Sequence, residues 1–190
     1  MNEIIKKLEK KIIVSCQAAK GEPFYDIACL TAMGKSVVNG GAAGLRLAGE
    51  ESIKAAREFT DIPIIGITKP EPLPDNWKEV VYITPTCKDA ELVANAGADI
   101  VAIDGTSRLR PEENLAGQIE YIKYNLNKPV MADIATVEEG LMCALLGVDI
   151  ISTTLSGYTA ETLEKNPDEP DFELLARLVK AVNKPIILEG

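Results

Sequence analysis

The stretch NAGADIVAIDGT (Asn95–Thr106) carries the reading of the fold. A helix end of small residues runs into Gly97, the residue type that closes helices in the left-handed conformation. Asp99 then opens an apolar run, Ile100-Val101-Ala102-Ile103, which ends on a second aspartate, Asp104, and a Gly-Thr turn. LLGVDIISTTLSG (Leu145–Gly157) repeats that order: helix end, glycine, aspartate, apolar run, polar tail. Three other strand entries share a polar–Pro–apolar form: DIPIIGI (61–67), NKPVMADI (127–134) and NKPIILEG (183–190). A unit that recurs along a chain marks a repeated architecture.

Working outward from that unit, seven strands are expected: 12–16, 43–49, 62–67, 99–104, 129–134, 149–155 and 185–190. Their apolar residues are near-continuous rather than alternating, as in parallel strands covered on both faces. Helical segments fall between them, at 27–38, 52–60, 88–97, 112–125, 137–147 and 172–183. In the last of these, Leu174, Leu175, Leu178, Val179 and Val182 line one face. Alternating strands and helices mean βα units and a parallel sheet. The repetition favours a (β/α)8 TIM-type barrel over a doubly wound sheet. No GxGxxG or GxxxxGK[ST] supports a dinucleotide or P-loop reading. Such a barrel ordinarily takes about 250 residues, and this chain has 190. The expectation is one barrel domain over 1–190, C-terminally incomplete by a final βα unit. EPLPDNWKEVVYITPT (71–86) is read as a long loop holding one small strand. The first residues read as a short amphipathic helix.

Composition narrows the function. Net charge is −9, and an acidic chain is a poor general binder of nucleic acid. No run is long and apolar enough to span a bilayer, so neither membrane nor nucleic acid is an expected partner. The four cysteines are scattered without a CxxC. That pattern points away from a zinc site or disulfide framework and towards the cytoplasm. With no histidine, proton chemistry falls to lysine, carboxylates, tyrosine or cysteine.

Barrel enzymes work at the C-terminal ends of their strands. Read there, the chain offers Gln17, Arg46, Lys69, Asp104, Asp133, Thr153, Thr154 and Glu189. Each has a plainer alternative. Lys69 could reach out into water, or pair with Asp104 or Glu189. Asp104 and Asp133 could cap the helices that follow them, and Glu189 could be a cap or a solvent-facing strand end. Tyr158 could simply pack on the mouth. Arg46 resists such treatment, because a guanidinium inside an apolar strand requires a carboxylate or a ligand oxygen. A lysine in a partly desolvated pocket is a proton carrier.

VSCQ (14–17), PIIGITK (63–69), YITPT (82–86), DIVAIDGT (99–106), MADI (131–134), STTLSGYT (152–159) and ILEG (187–190), taken in order, resemble the N-acylglucosamine-6-phosphate 2-epimerases, the N-acetylmannosamine-6-phosphate 2-epimerase family of sialic-acid breakdown. The resemblance implies a (β/α)8 barrel and reversible conversion of N-acetylmannosamine 6-phosphate to N-acetylglucosamine 6-phosphate, without cofactor or metal. It puts the catalytic lysine on Lys69 and the catalytic glutamate on Glu189. Substrate contacts fall on Gln17, Arg46, Asp133 and Gly190. The chain departs from the family pattern after Lys69, where Pro-Glu-Pro stands, and past Glu189-Gly190, where the family continues with an arginine, a helix and a Gly-Gly strand end. Two alternatives stay open: another phosphate-binding barrel enzyme, and a non-catalytic barrel remnant that assembles, for instance as a homo-oligomer.

Overall fold

The computed structural model describes residues 2–112, 114–165 and 169–189. Gly190, named above as a contact, lies outside the described residues. The elements run α1 (Glu3–Lys6), β1 (Ile13–Cys16), α2 (Ile27–Asn39), β2 (Gly44–Ala48), α3 (Glu50–Arg57), β3 (Ile64–Ile67), α4 (Cys87–Ala96), β4 (Ile100–Asp104), α5 (Leu115–Glu120), β5 (Val130–Asp133), α6 (Val137–Leu145), β6 (Ile150–Ser152), α7 (Phe172–Ala181) and β7 (Ile186–Ile187). A π-helical turn, Tyr121–Asn125, prolongs α5. The seven strands are parallel and pair in chain order.

The side-chain period of two divides the core. Leu45, Leu47, Ile64, Val101, Ile103, Val130, Ala132 and Ile151 face outward and pack against the helices through Ile53, Val93, Cys143 and Leu178. Ile65, Ile67, Ile100, Ala102, Met131 and Ile150 face inward, and Ile5 and Leu8 of and just beyond α1 join them. Arg46, Asp104, Asp133 and Ser152 occupy inward positions of β2, β4, β5 and β6, and all four are buried. Asp104, Asp133 and Ser152 stand side by side in register. A flat sheet would hold β2 and β7 about 24 Å apart, at about 4.8 Å per strand. Yet Arg46 on β2 bonds Glu189, just beyond β7. The sheet therefore curls round its inner layer as a TIM-type half-barrel, with β1 and β7 as its edges.

The repeated unit has a local cause. Gly97 takes φ 112 at the end of α4 and Gly147 takes φ 90 after α6, a region that favours glycine. The aspartate two residues on then reaches sideways. Asp99 Oδ2 accepts the Ile64 amide at 2.9 Å, and Asp149 Oδ2 accepts the Val130 amide at 2.9 Å. Each carboxylate is also held by a cation, Arg57 or Lys123. The aspartates thus clip the N-terminal end of one strand to its neighbour.

Three expectations need correction. The small strand within 71–86 is only an isolated bridge, Val80 to Leu109. Residues 83–84 instead wedge between the upper ends of β3 and β4: Thr84 N donates to Thr68 O at 3.0 Å and Asp104 N donates to Ile83 O at 3.1 Å. Asp104 and Asp133 are not caps; Asn114 caps α5, and Thr136 caps α6 in a reciprocal box with Glu139. Val179, counted on the apolar face of α7, is 62% exposed. Helix α7 packs on α6 and on the edge strand β7, beyond which no strand among the described residues lies.

Candidate active site

Strand ends deliver the polar groups to one end of the half-barrel. A cleft of about 330 Å³ opens there, lined by Ser15, Lys69, Tyr82, Ile83, Thr154, Leu155, Ser156, Tyr158, Glu169, Asp171 and Glu189. Lys69 and Glu189, far apart in sequence, share it.

Arg46 organises the floor. Its Nη2 donates to Asp133 Oδ2 at 2.6 Å, and its Nη1 donates to Glu189 Oε2 and to Thr154 Oγ1, the latter at 3.1 Å. Thr154 Oγ1 also lies 2.8 Å from Asp133 Oδ1, 3.1 Å from Glu189 Oε2 and 2.8 Å from Ser152 Oγ. Thr153 works from behind: its Oγ1 accepts the Glu189 amide at 3.1 Å and donates to the Glu189 carbonyl at 3.2 Å. Glu189 is therefore gripped at both backbone and carboxylate. One guanidinium serves two carboxylates. Burial pushes the Asp133 carboxyl up, to about 6; Arg46 pulls it down and the Glu189 carboxylate raises it.

Lys69 stands apart from this cluster. Among the described residues it forms no hydrogen bond or ion pair, so the expected pairings with Asp104 or Glu189 do not occur: Asp104 is bound by Arg108 and Glu189 by Arg46. Its position on the rim leaves it open to the water of the cleft. The protein crowding the amine still lowers its pKa, through desolvation and then through the charge of Arg46, against the opposing pull of Asp133 and Glu189. The rim position limits the size of that effect. A lysine so placed holds a larger neutral, basic fraction than one in open water.

Gln17 lies beyond β1 and donates from Nε2 to Ser15 Oγ at 2.6 Å. Its Oε1 is buried without a partner among the described residues, and so is Arg46 Nε. One orphan acceptor and one orphan donor remain for a ligand to satisfy.

Asp104 is brought to the same layer but is fully engaged elsewhere. It accepts the Thr106 amide at 3.0 Å, the Thr106 hydroxyl at 2.6 Å and Arg108. It holds the turn that lets Arg108 lie 5.3 Å above the Tyr82 ring. Tyr82, whose hydroxyl burial pushes up to about 12, and Ser15, Ser152, Ser156 and Asp171 were not singled out from sequence. Ser15 and Ser152 could have been found by the same strand-end rule. Asp171 could not: it caps α7 and accepts from Ser156 at 2.7 Å after a long excursion of the chain.

Known proteins resemble this chain in sequence and fold. The family described as "Putative N-acetylmannosamine-6-phosphate epimerase" matches residues 30–190. A protein of Caldanaerobacter subterraneus subsp. tengcongensis named "Putative N-acetylmannosamine-6-phosphate 2-epimerase" is 45% identical over 99% of this chain and 78% of its own length. One of the same name from Clostridioides difficile is 41% identical over 98% of this chain and 81% of its own length. The solved N-acetylmannosamine-6-phosphate 2-epimerase of Clostridium perfringens superposes with a TM-score of 0.90 at 38% identity, over all of this chain and 80% of that one. A dihydropteroate synthase of Xanthomonas albilineans, at TM-score 0.60 and 13% identity over 93% of this chain and 69% of its own, shares the fold alone. With the motifs, the curled parallel sheet and these relatives in agreement, the chain belongs to the N-acetylmannosamine-6-phosphate 2-epimerase family.

Proposed function

We propose that this chain interconverts N-acetylmannosamine 6-phosphate and N-acetylglucosamine 6-phosphate by removing and returning the proton at C2. The observation that carries the reading is that Lys69 and Glu189 line one cleft, the amine without a hydrogen bond or ion pair among the described residues and the carboxylate fixed. In the open-chain sugar C2 lies next to the aldehyde, so its proton is acidic enough for a side-chain base. Lys69, with its lowered pKa, takes that proton and returns it through an enediol-type intermediate. Glu189 moves protons at O1 and O5, or serves the opposite face of C2. Arg46 holds the oxygen on which negative charge develops, its orphan Nε donating, and the orphan Oε1 of Gln17 suits a substrate hydroxyl or amide N–H. Asp133 keeps Arg46 aligned. Thr153 fixes the backbone of Glu189.

The reading takes the reaction to need no cofactor or metal. It treats residues 1–190 as one barrel domain in the cytoplasm, where its scattered cysteines suit a reducing compartment. Among the described residues no helix is long and apolar enough to cross a membrane. With a net charge of −9, nucleic acid is not taken as a partner.

The test is deuterium wash-in at C2 of N-acetylmannosamine 6-phosphate in heavy water. The chain is expected to exchange that position, and Lys69→Ala is expected to abolish exchange. A folded wild-type chain that leaves C2 unexchanged overturns the proposal.

A further inference from the structure

The hydroxyl of Thr154 has more neighbours than a hydroxyl can bond. Arg46 Nη1, Asp133 Oδ1, Glu189 Oε2 and Ser152 Oγ all lie within 3.1 Å of Oγ1. A threonine hydroxyl brings one proton and two lone pairs. Arg46 can only donate, so it takes one lone pair. One lone pair and one proton are left for Ser152 and the two carboxyl groups. If both carboxyls are ionised, they compete for that single proton, and one meets a bare lone pair at hydrogen-bond distance. A proton on either carboxyl ends the competition between them and leaves Ser152 as a close neighbour that Thr154 does not bond. Asp133 protonated donates to Thr154, and Thr154 donates to Glu189; or the chain of bonds runs the other way.

We propose that Thr154 is a positioning residue that relays a proton between Asp133 and Glu189, recharging Glu189 after it has given its proton to the sugar. In one transfer the Asp133 Oδ1–H bond breaks and a bond to Thr154 Oγ1 forms. The original Thr154 O–H breaks and Glu189 Oε2–H forms. One proton moves, the negative charge passes from Glu189 to Asp133, and Arg46 stays bound to both. Asp133 is fully buried, so it has no direct route to bulk water, whereas Glu189 is partly exposed to the cleft. Among the described residues Glu189 Oε1 has no hydrogen-bond partner, which leaves it available to substrate while Oε2 faces the relay. The charged groups around the relay are Arg46 on β2, Lys69 beyond β3, Asp104 on β4, Asp133 on β5 and Glu189 beyond β7.

The inference rests on the epimerase reading for its use, but its test does not. Thr154→Val keeps the branched shape and removes the hydroxyl; Thr154→Ser restores it. In C2 exchange, Thr154→Val is expected to lower kcat by about 10- to 100-fold with KM little changed, and to move the pH profile of kcat. Thr154→Ser is expected to recover kcat to within about 3-fold. A valine variant that matches wild type, or a serine variant no better than valine, overturns the relay. Carbon-13 titration of the Asp133 carboxyl, assigned with Asp133→Asn, needs no activity. Its titration step is expected to move in Thr154→Val relative to the wild type; a step unchanged by the valine overturns the relay. A wild type without C2 exchange defeats the epimerase reading while the titration still decides the relay. Should the valine variant not fold, Thr154→Ala takes its place in both measurements.

Discussion

Arg46 has the smallest tolerance for change of any residue in the cluster. It is buried, and two carboxylates depend on it. Removing one member of such a group strands the others in a low-dielectric site, at a cost of about 3–5 kcal/mol. Arg46→Met is expected to lose that much stability in urea unfolding, and a loss under about 1 kcal/mol would contradict the buried pairing. Asp133 sets a pH signature. Its folded pKa lies above its ordinary 3.8, at about 6, chiefly through burial. Its stabilising contribution is therefore complete below 3.8 and disappears as pH rises through about 6. Across that window the wild type is expected to lose stability relative to Asp133→Asn in paired urea titrations. Lys69 shifts the other way. Its depressed pKa makes C2 exchange rise with pH along a limb centred below the ordinary lysine value of 10.5. A limb at or above that value in the exchange rate would remove Lys69 as the base.

At the scale of elements, caps and close contacts hold the site's frame. Glu139 on α6 is buried; its two oxygens accept the amides of Ser107, Ala135 and Thr136. It ties together the loops that follow Asp104 on β4 and Asp133 on β5. Thr136→Ala removes one cap bond and is expected to cost about 1 kcal/mol. Glu139→Ala leaves three amides without their acceptor and is expected to cost clearly more, about 2 kcal/mol or above; equal losses in thermal unfolding would show that the loop bonds carry nothing. Gly66 shows how tightly α3, α4 and the turn after α4 sit on β3. A Cβ there would meet Ala98 Cβ at 2.7 Å and Ile53 Cδ1 at 3.0 Å. Gly66→Ala is expected to lose about 1–3 kcal/mol by overpacking, read as a lower urea midpoint.

Over the whole molecule, seven strands curl without β1 and β7 pairing among the described residues. Protection should follow position in the sheet. Amides of β4 and β5 are expected to exchange with deuterium slowly, and those of β1 and β7 much faster. Uniform protection across all seven strands would mean that the edges are covered in solution. Much of this architecture was legible in the chain. The Gly–x–Asp–apolar unit returned because Gly97 and Gly147 supply the helix stop and Asp99 and Asp149 the strand clip. Those are local interactions, written in residue type and spacing. The 83–84 wedge was not legible. Its backbone bonds go to β3 and β4 rather than to a partner in its own segment, and no periodicity encodes that. Val179 misled for a related reason: helical spacing marks an apolar face but not where the sheet beneath it stops.

By itself the sequence determined the parallel βα order, the inward polar residues at strand ends and the family motifs, since each depends on neighbours within a few positions. Only the tertiary structure decided which of those polar residues touch. Arg46 meets Thr154 and Glu189 across 108 and 143 positions of chain, and it does so because the sheet's curl brings β2 to face the ends of β6 and β7. Asp104, by contrast, is taken by Arg108 only four positions on, while the same curl left Lys69 on the rim with no ion pair among the described residues, an outcome set by distances in three dimensions that no spacing along the chain contains.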